Sequence, residues 1–295
     1  MGKGRSPRRS GRRRDARGGP TAPGPRAPAS PATYEPATYE PATPEPDHGA
    51  GRLLVVSTPI GNLGDLSPRA REALSSAEIV ACEDTRHTGL LLSRLGLPRQ
   101  RLVSYHEHNE RRRLGELLAA LEGGATVALV SDAGTPLLSD PGFPLVREAA
   151  ARGIRIEALP GPSALLAALA VSGLPPLPFT FVGFPPPRPS KRRAFYRRLA
   201  PLAHTLVVYE SPHRLAASLG DAASELGERP AVVARELTKL HEETLRGSLA
   251  SLAAELETRG GVKGEVVVVI GPPRAESEGQ RSPSEIQQPP STRDP

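Results

Sequence analysis

Glu83-Asp84-Thr85-Arg86-His87-Thr88 crowds two carboxylates, an imidazole, a guanidinium and two hydroxyls into six residues. Such a set can accept a proton and stabilise developing charge, although an acidic first turn with an N-cap uses several of the same types. Tyr209-Glu210-Ser211-Pro212-His213-Arg214 is a second set. A capped helix start accounts for Ser211 and Pro212 there but leaves Glu210, His213 and Arg214 over. Between the two lies Ala128 to Phe143, an apolar run that breaks at Ser131-Asp132 into Gly, Pro, Thr, Ser and Asp. Strand-to-helix connections usually run about two to six residues, so this longer one reads as a ligand loop. Gly134 lets a ligand approach the backbone, and Pro136 and Pro141 stiffen the loop, so less order is lost on binding.

Other stretches narrow the chemistry. Ser57 to Leu66 occupies a phosphate-loop position but has neither Gly-x-Gly-x-x-Gly nor Gly-Lys-Ser/Thr, which disfavours a dinucleotide enzyme or an ATPase. His106-Glu107-His108-Asn109 offers two imidazoles with no third ligand at a recognisable spacing, so no metal site is expected. Arg188, Lys191, Arg192, Arg193, Arg197 and Arg198 interleave with Phe195 and Tyr196. Clustered cations beside aromatics suit phosphate contacts and base stacking, and a solvated helix face is the competing reading. Arg111 to Arg113 is a smaller run of the latter kind.

The elements that would position these residues alternate. Strands are expected at Leu53–Ser57, Ile79–Cys82, Arg101–Tyr105, Thr126–Val130 and Arg155–Leu159, with helices at Pro68–Ala77, Thr85–Leu95, Glu110–Leu121 and Phe143–Arg152. Ser67-Pro68 supplies an N-cap with proline at N1, Asn109 caps the third helix and Gly123 stops it. Five strands with helical crossovers make a parallel, doubly wound sheet. Such sheets bind ligands outside the carboxyl ends of their strands, where both Glu83 to Thr88 and the Ser131 loop fall. Pro160-Gly161-Pro162-Ser163 reads as a rigid hinge that caps a helix at Ala164–Val171. The second half offers strands at Phe179–Gly183, Thr205–Tyr209, Ala231–Glu236, Glu243–Gly247 and Glu265–Ile270. Its helices are Lys191–Leu199, Pro212–Leu226 and Ser248–Thr258. Glu236 to Glu243 is too short for a crossover helix, so those strands should pair antiparallel in a mixed sheet. The expected organisation is therefore α/β, with an N-terminal α/β domain over 51–160 and a C-terminal one over 161–271.

Residues 1–30 hold nine Lys/Arg against Asp15 alone, so the formal charge of +6 belongs to that tail. Residues 1–50 are rich in Arg, Pro, Gly and Ala and contain a Pro-Ala-Thr-Tyr-Glu repeat at 31–35 and 36–40. They and the polar 272–295 are expected to be disordered tails. A single Cys, Cys82, excludes a disulfide framework and suits a reducing cytoplasm. No run of eighteen apolar residues predicts a membrane span, and the basic N-terminus lacks the apolar stretch of a secretory signal.

Five motifs fall in order along the chain: Thr58-Pro-Ile-Gly-Asn-Leu-Gly-Asp65, Glu83 to Thr88, Val130 to Pro136 with Ser139-Asp-Pro-Gly142, Pro160-Gly-Pro-Ser163, and Tyr209 to Arg214. Together they resemble the ribosomal RNA small-subunit methyltransferase I family, of the tetrapyrrole-methylase fold, from about Leu53 to Ile270. The resemblance implies two α/β domains with S-adenosyl-L-methionine held in the cleft between them. It implies a homodimer, and 2′-O-methylation of a decoding-centre cytidine of 16S rRNA in the 30S subunit, with no membrane or DNA partner. Porphyrin-type members carry a Gly-x-Gly-x-Gly-Asp first loop, which Thr58 to Asp65 is not, and this argues against a tetrapyrrole substrate. On this resemblance, Asp132, Ala133, Gly134, Thr135, Pro136, Leu137, Leu138 and Ser139 cradle the cofactor with Gly161, Pro162 and Ser163, and Pro59 and Gly61 lie nearby. Glu83, Asp84 and His87 are the candidate proton acceptors, Arg86 positions a phosphate, and Glu210 is a competing base. Arg188, Lys191, Arg192, Arg193, Arg197 and Arg198 would contact RNA. A small-molecule methylase of the same fold and a non-catalytic RNA-binding module are the rival readings.

Overall fold

The computed structural model describes residues 51–273. The first half contributes strands β1 (Arg52–Val56), β2 (Ile79–Cys82), β3 (Arg101–Ser104), β4 (Thr126–Val130) and β5 (Arg155–Leu159). Interleaved with them are helices α1 (Pro68–Ser76), α2 (Thr85–Arg94), α3 (Glu110–Glu122) and α4 (Phe143–Ala151). The strands pair in parallel in the order β3-β2-β4-β1-β5. Every residue of β2 is buried, as a parallel strand covered on both faces requires. Alternating side chains serve two cores. Leu53, Val127 and Leu129 meet Leu117, Leu118 and Leu145 of α3 and α4, whereas Leu54, Val56, Ala128 and Val130 meet Leu74 and Leu92 of α1 and α2.

The second half contains α5 (Ala164–Ser172), β6 (Phe179–Phe181), α6 (Pro189–Leu199), β7 (Thr205–Glu210), α7 (Leu215–Leu226), β8 (Pro230–Arg235), β9 (Glu243–Ser248), α8 (Leu249–Thr258) and β10 (Val266–Ile270). Its sheet is mixed, in the order β6-β7-β10-β8-β9, with only β6 and β7 parallel. The expected antiparallel pairing of β8 with β9 is present. In β10 four valines and an isoleucine divide by the period of two: Val266, Val268 and Ile270 enter the core under α6, α7 and α8, and Val267 and Val269 the one under α5.

Several expectations shift. Ser67 caps α1 by accepting from the Ala70 N–H. Asn109 makes no cap bond; its Oδ1 accepts from the His106 N–H and its amide donates to the Ser104 carbonyl, folding the turn before α3. Ser163 and Ser211 also leave their helix starts uncapped by side chain. The expected helix from Pro212 to Leu226 divides into a 3-10 turn at Pro212–Arg214 and α7, because Arg214 leaves helical geometry (φ −131°). Arg229 is buried, with its guanidinium donating to the Ala200 and Leu202 carbonyls just past α6. It thereby satisfies orphan helix-end acceptors. The N-terminal tail and the residues beyond 273 lie outside the described region. No described helix is long and apolar enough to cross a membrane.

Candidate functional site

Three loops at the carboxyl ends of β1, β4 and β5 are bonded into one wall. Thr58 and Gly134 exchange backbone hydrogen bonds of 2.9 and 3.0 Å, an isolated antiparallel bridge between the first and fourth loops. The Thr58 hydroxyl donates to the Ser131 carbonyl, and Thr135 Oγ1 donates to the Pro162 carbonyl at 3.2 Å while lying 3.0 Å from Ser57 Oγ. Gly134 can make the bridge because its φ is +84°, in the left-handed region. Gly61 brings the first loop against the β8–β9 turn so closely that a Cβ there would fall 2.4 Å from Lys239 Cγ.

A cavity of about 430 Å³ opens between this wall and the second sheet. Asp132, Gly134, Ser139 and Ser163 line one side, and Phe184, Glu210, Leu237 and Val266 the other. Leu137, Ser139, Glu236 and Thr238 all hold positive φ without being glycine. Each such residue costs on the order of 1–3 kcal/mol, and this strain clusters at functional sites; here it sits in the two loops that face each other across the cavity.

Carboxylates are concentrated at the rim. Asp140 lines the cavity, and burial, then the neighbouring Glu83 and Asp132, push its carboxyl up to about 6, with the Ser131 hydroxyl opposing. Burial and Asp132 raise Glu83 as well. Asp84 behaves oppositely. It caps α2 through the Arg86 N–H and takes two further bonds from the Arg86 guanidinium, which hold it far below the usual carboxylate range. Glu210 is buried, with Oε1 accepting from the Ser211 N–H (2.7 Å) and Arg214 Nε (2.6 Å). Its Oε2 is buried without a partner among the described residues. No described group of three or more His, Cys, Asp or Glu is placed to hold a metal ion.

The tetrapyrrole (corrin/porphyrin) methylase model matches residues 52–253. The chain belongs to that family. Within it, a ribosomal RNA small subunit methyltransferase I of Mesorhizobium japonicum is 49% identical over 77% of this chain and 77% of its own length. One of Xylella fastidiosa is 51% identical over 75% and 81%. The solved uroporphyrin-III C-methyl transferase of Thermus thermophilus, complexed with S-adenyl homocysteine, superposes with a TM-score of 0.51 at 21% identity, covering 76% of this chain and 97% of that one. That likeness carries the family fold alone.

Within this family framework the sequence-predicted residues divide. Asp132, Ala133, Gly134, Thr135, Leu138, Ser139, Ser163 and Glu210 line the cavity. Gly61 and Pro162 brace its wall, and a Cβ on Gly161 would fall 3.0 Å from Ser57 Cβ. Pro136 is buried beneath the loop, Pro59 and Leu137 are half-buried, and none of the three lines the cavity. Arg86 and His87 are exposed on α2, with Arg86 forked onto Asp84 rather than free for a phosphate. Of the six basic residues on and before α6, Arg192 is buried against Asp221, Arg193 shares that carboxylate, and Arg197 is forked onto Glu225. The expected RNA contact therefore does not fit Arg192. Arg188, Lys191 and Arg198 are exposed and form no ion pair among the described residues.

Sequence reasoning missed Asp140, Phe184 and the stretch Gly264 to Val267, all of which line the cavity. Asp140 stood in a quoted motif and could have been weighed. Gly264 to Val267 could not have been found by looking at carboxyl ends. β10 runs antiparallel to β7, so its amino end meets the carboxyl end of β7, with Val266 opposite Glu210.

Proposed function

We propose that this protein transfers the methyl group of S-adenosyl-L-methionine to the ribose 2′-hydroxyl of a cytidine in the decoding centre of 16S rRNA. The observation that carries the reading is the identity of about half the residues, over three quarters of the chain, with proteins named for methylating small-subunit rRNA. The cavity residues fit the cofactor. Ser163 Oγ is a buried hydroxyl without a partner among the described residues, and the left-handed Gly134 presents backbone rather than side chain. Gly134 to Ser139 and Ser163 would hold the donor, backed by Pro59, Gly61, Gly161 and Pro162. Bound there, it supplies an electrophilic methyl group, so the hard chemistry is the cofactor's.

The chain's own residues must orient a hydroxyl, exclude water and take its proton. Asp140 is the best-suited acceptor: it faces the cavity, has no cation beside it and holds a proton affinity close to working pH. Glu83 is its neighbour and partner in that task. The Arg86 fork makes Asp84 a weak base, and Glu210 has one oxygen committed to Arg214. Arg188, Lys191 and Arg198 would bind phosphates of the rRNA in the 30S subunit. DNA lacks the accepting hydroxyl. A homodimer fits α5, a helix apolar on all sides that leaves Leu166 and Val171 exposed. A cytoplasmic location follows from the substrate.

The test is tritium transfer from labelled S-adenosyl-L-methionine to 30S subunits lacking the modification, followed by nucleoside analysis. Label in 2′-O-methylcytidine is the expected result. Cofactor binding with no label in the ribose of any cytidine would refute the proposal.

A further inference from the structure

Glu210 Oε2 is a buried carboxylate oxygen on the cavity wall with no donor among the described residues, in a side chain only 1% exposed. An acceptor desolvated in this way is costly unless a ligand supplies the missing donor. Its other oxygen is fixed by Arg214, whose Nη2 also donates to the Pro185 carbonyl at 3.0 Å. The same guanidinium therefore holds Glu210 and the residue that follows Phe184. Phe184 is 55% exposed and its ring lies 5.5 Å from Tyr209, which meets Phe181 edge-on at 4.8 Å. The whole chain has only five Phe and five Tyr, and three of these ten rings are stacked at this one edge. Gly183, at φ +67°, lets the backbone pass so close to the β4 loop that a Cβ would sit 3.1 Å from Ser139 Oγ. Pro185 to Pro187 then lead to the exposed cations Arg188 and Lys191.

We propose that Phe184 and Glu210 form a subsite for the nucleobase of the target nucleotide, with Phe184 stacked on the ring and Glu210 Oε2 accepting from an exocyclic amino group. The inference rests on the RNA-methylation reading above and deepens it. A free aromatic face binds any base, whereas a carboxylate acceptor selects the amino group of cytosine against the carbonyl oxygen of uracil. The cofactor's adenine also carries an exocyclic amine. The target base is the better occupant because Phe184 stands at the exposed rim beside the cations, across the cavity from Gly134 and Ser163.

The experiment uses full-length protein and 30S subunits reconstituted with either cytidine or uridine at the acceptor position, reading kcat/KM for methyl transfer. Calorimetry on the same proteins gives the Kd for S-adenosyl-L-methionine. Wild-type protein should prefer cytidine by about tenfold or more. Glu210→Gln should shrink the preference to within about threefold while leaving the cofactor Kd within about threefold. Phe184→Ala should raise KM about tenfold on both subunits, and Phe184→Tyr should restore it. An unchanged cytidine preference in Glu210→Gln overturns the subsite while leaving 2′-O-methylation standing. A cofactor Kd weakened about tenfold overturns it too, because the acceptor would then serve adenine. Should Glu210→Gln fail to fold, Phe184 decides the matter, since its side chain is exposed: an unchanged KM in Phe184→Ala overturns the proposal. Absence of transfer to either subunit by wild-type protein that binds cofactor defeats the activity itself, and the subsite with it.

Discussion

Replacing Arg192 with alanine would remove the cation from a nearly dry ion pair. The Arg192 side chain is 4% exposed and Asp221 is 14% exposed, with Nε and Nη2 each 2.7 Å from Oδ2. Breaking a buried pair from one side costs about 3–5 kcal/mol, since the remaining charge is left without compensation. Arg193 still reaches Asp221 Oδ1 at 3.3 Å, but from a side chain 46% exposed, so the lower end, about 3 kcal/mol, is expected. For a folded region of this size that is a fall in Tm of about 6–12 °C. Calorimetric melting of the full-length protein, run beside Arg198→Ala as the exposed control, measures it. Arg198→Ala should melt within about 2 °C of wild type and weaken rRNA binding with a shallower salt dependence. Exchanging both partners for apolar residues, Arg192→Met with Asp221→Leu, should recover most of the loss, because a packed apolar pair can equal a buried ion pair. An Arg192→Ala protein that melts normally yet binds rRNA weakly would refute the structural assignment and return Arg192 to the RNA-contact role that its neighbours suggest.

Asp140→Asn should lower kcat about 100-fold or more and abolish the rise in rate through pH 6 that wild-type protein shows as its carboxyl ionises; a pH profile that keeps this limb would clear Asp140. The stability sign is the reverse, because a carboxyl with a raised pKa contributes stability below about pH 4 that is lost as pH climbs through about 6, so Asp140→Asn should melt higher than wild type at pH 7 despite its lost activity. Gly134→Ala forces a side chain to φ +84° with its Cβ 3.3 Å from Ile60 Cγ2; about 1–2 kcal/mol of destabilisation and weaker cofactor binding are expected, and an unchanged Kd would show that the wall does not depend on this bridge. Leu166→Arg places a charge on the exposed apolar side of α5 and should convert a dimer to monomer in sedimentation, whereas an unchanged sedimentation coefficient would move the interface elsewhere.

Periodicity revealed most of the framework because burial writes it into local order. The Val266 to Ile270 run, the alternation of strand with helix through Leu159 and the short link between β8 and β9 each follow from spacing within a few residues. The site was legible where a strand ran into its loop, as at Asp132 to Ser139. It was illegible where two distant segments meet. Nothing in the string Lys191 to Arg198 announces that Asp221 and Glu225, some 28 residues on, claim three of its cations. Asn109 looks like a cap by type, yet the His106 N–H competes successfully for its Oδ1. Phe184 reads as loop until Tyr209 is found beside it.

The position of β10 in its sheet has a consequence for synthesis. The first sheet ends at the edge strand β5, so every strand it needs has been made by residue 159. The second sheet needs its last strand at the centre, between β7 and β8. Until residues 266–270 emerge from the ribosome, Leu206 to Tyr209 and Ala231 to Ala234 offer unpaired apolar edges, the kind of template that recruits other chains. Domains otherwise fold in the order they are made, but here the second sheet must wait almost to release. A chain cut short just before Val266 would retain a foldable first sheet and carry two exposed strands with no partner, and its fate would be aggregation.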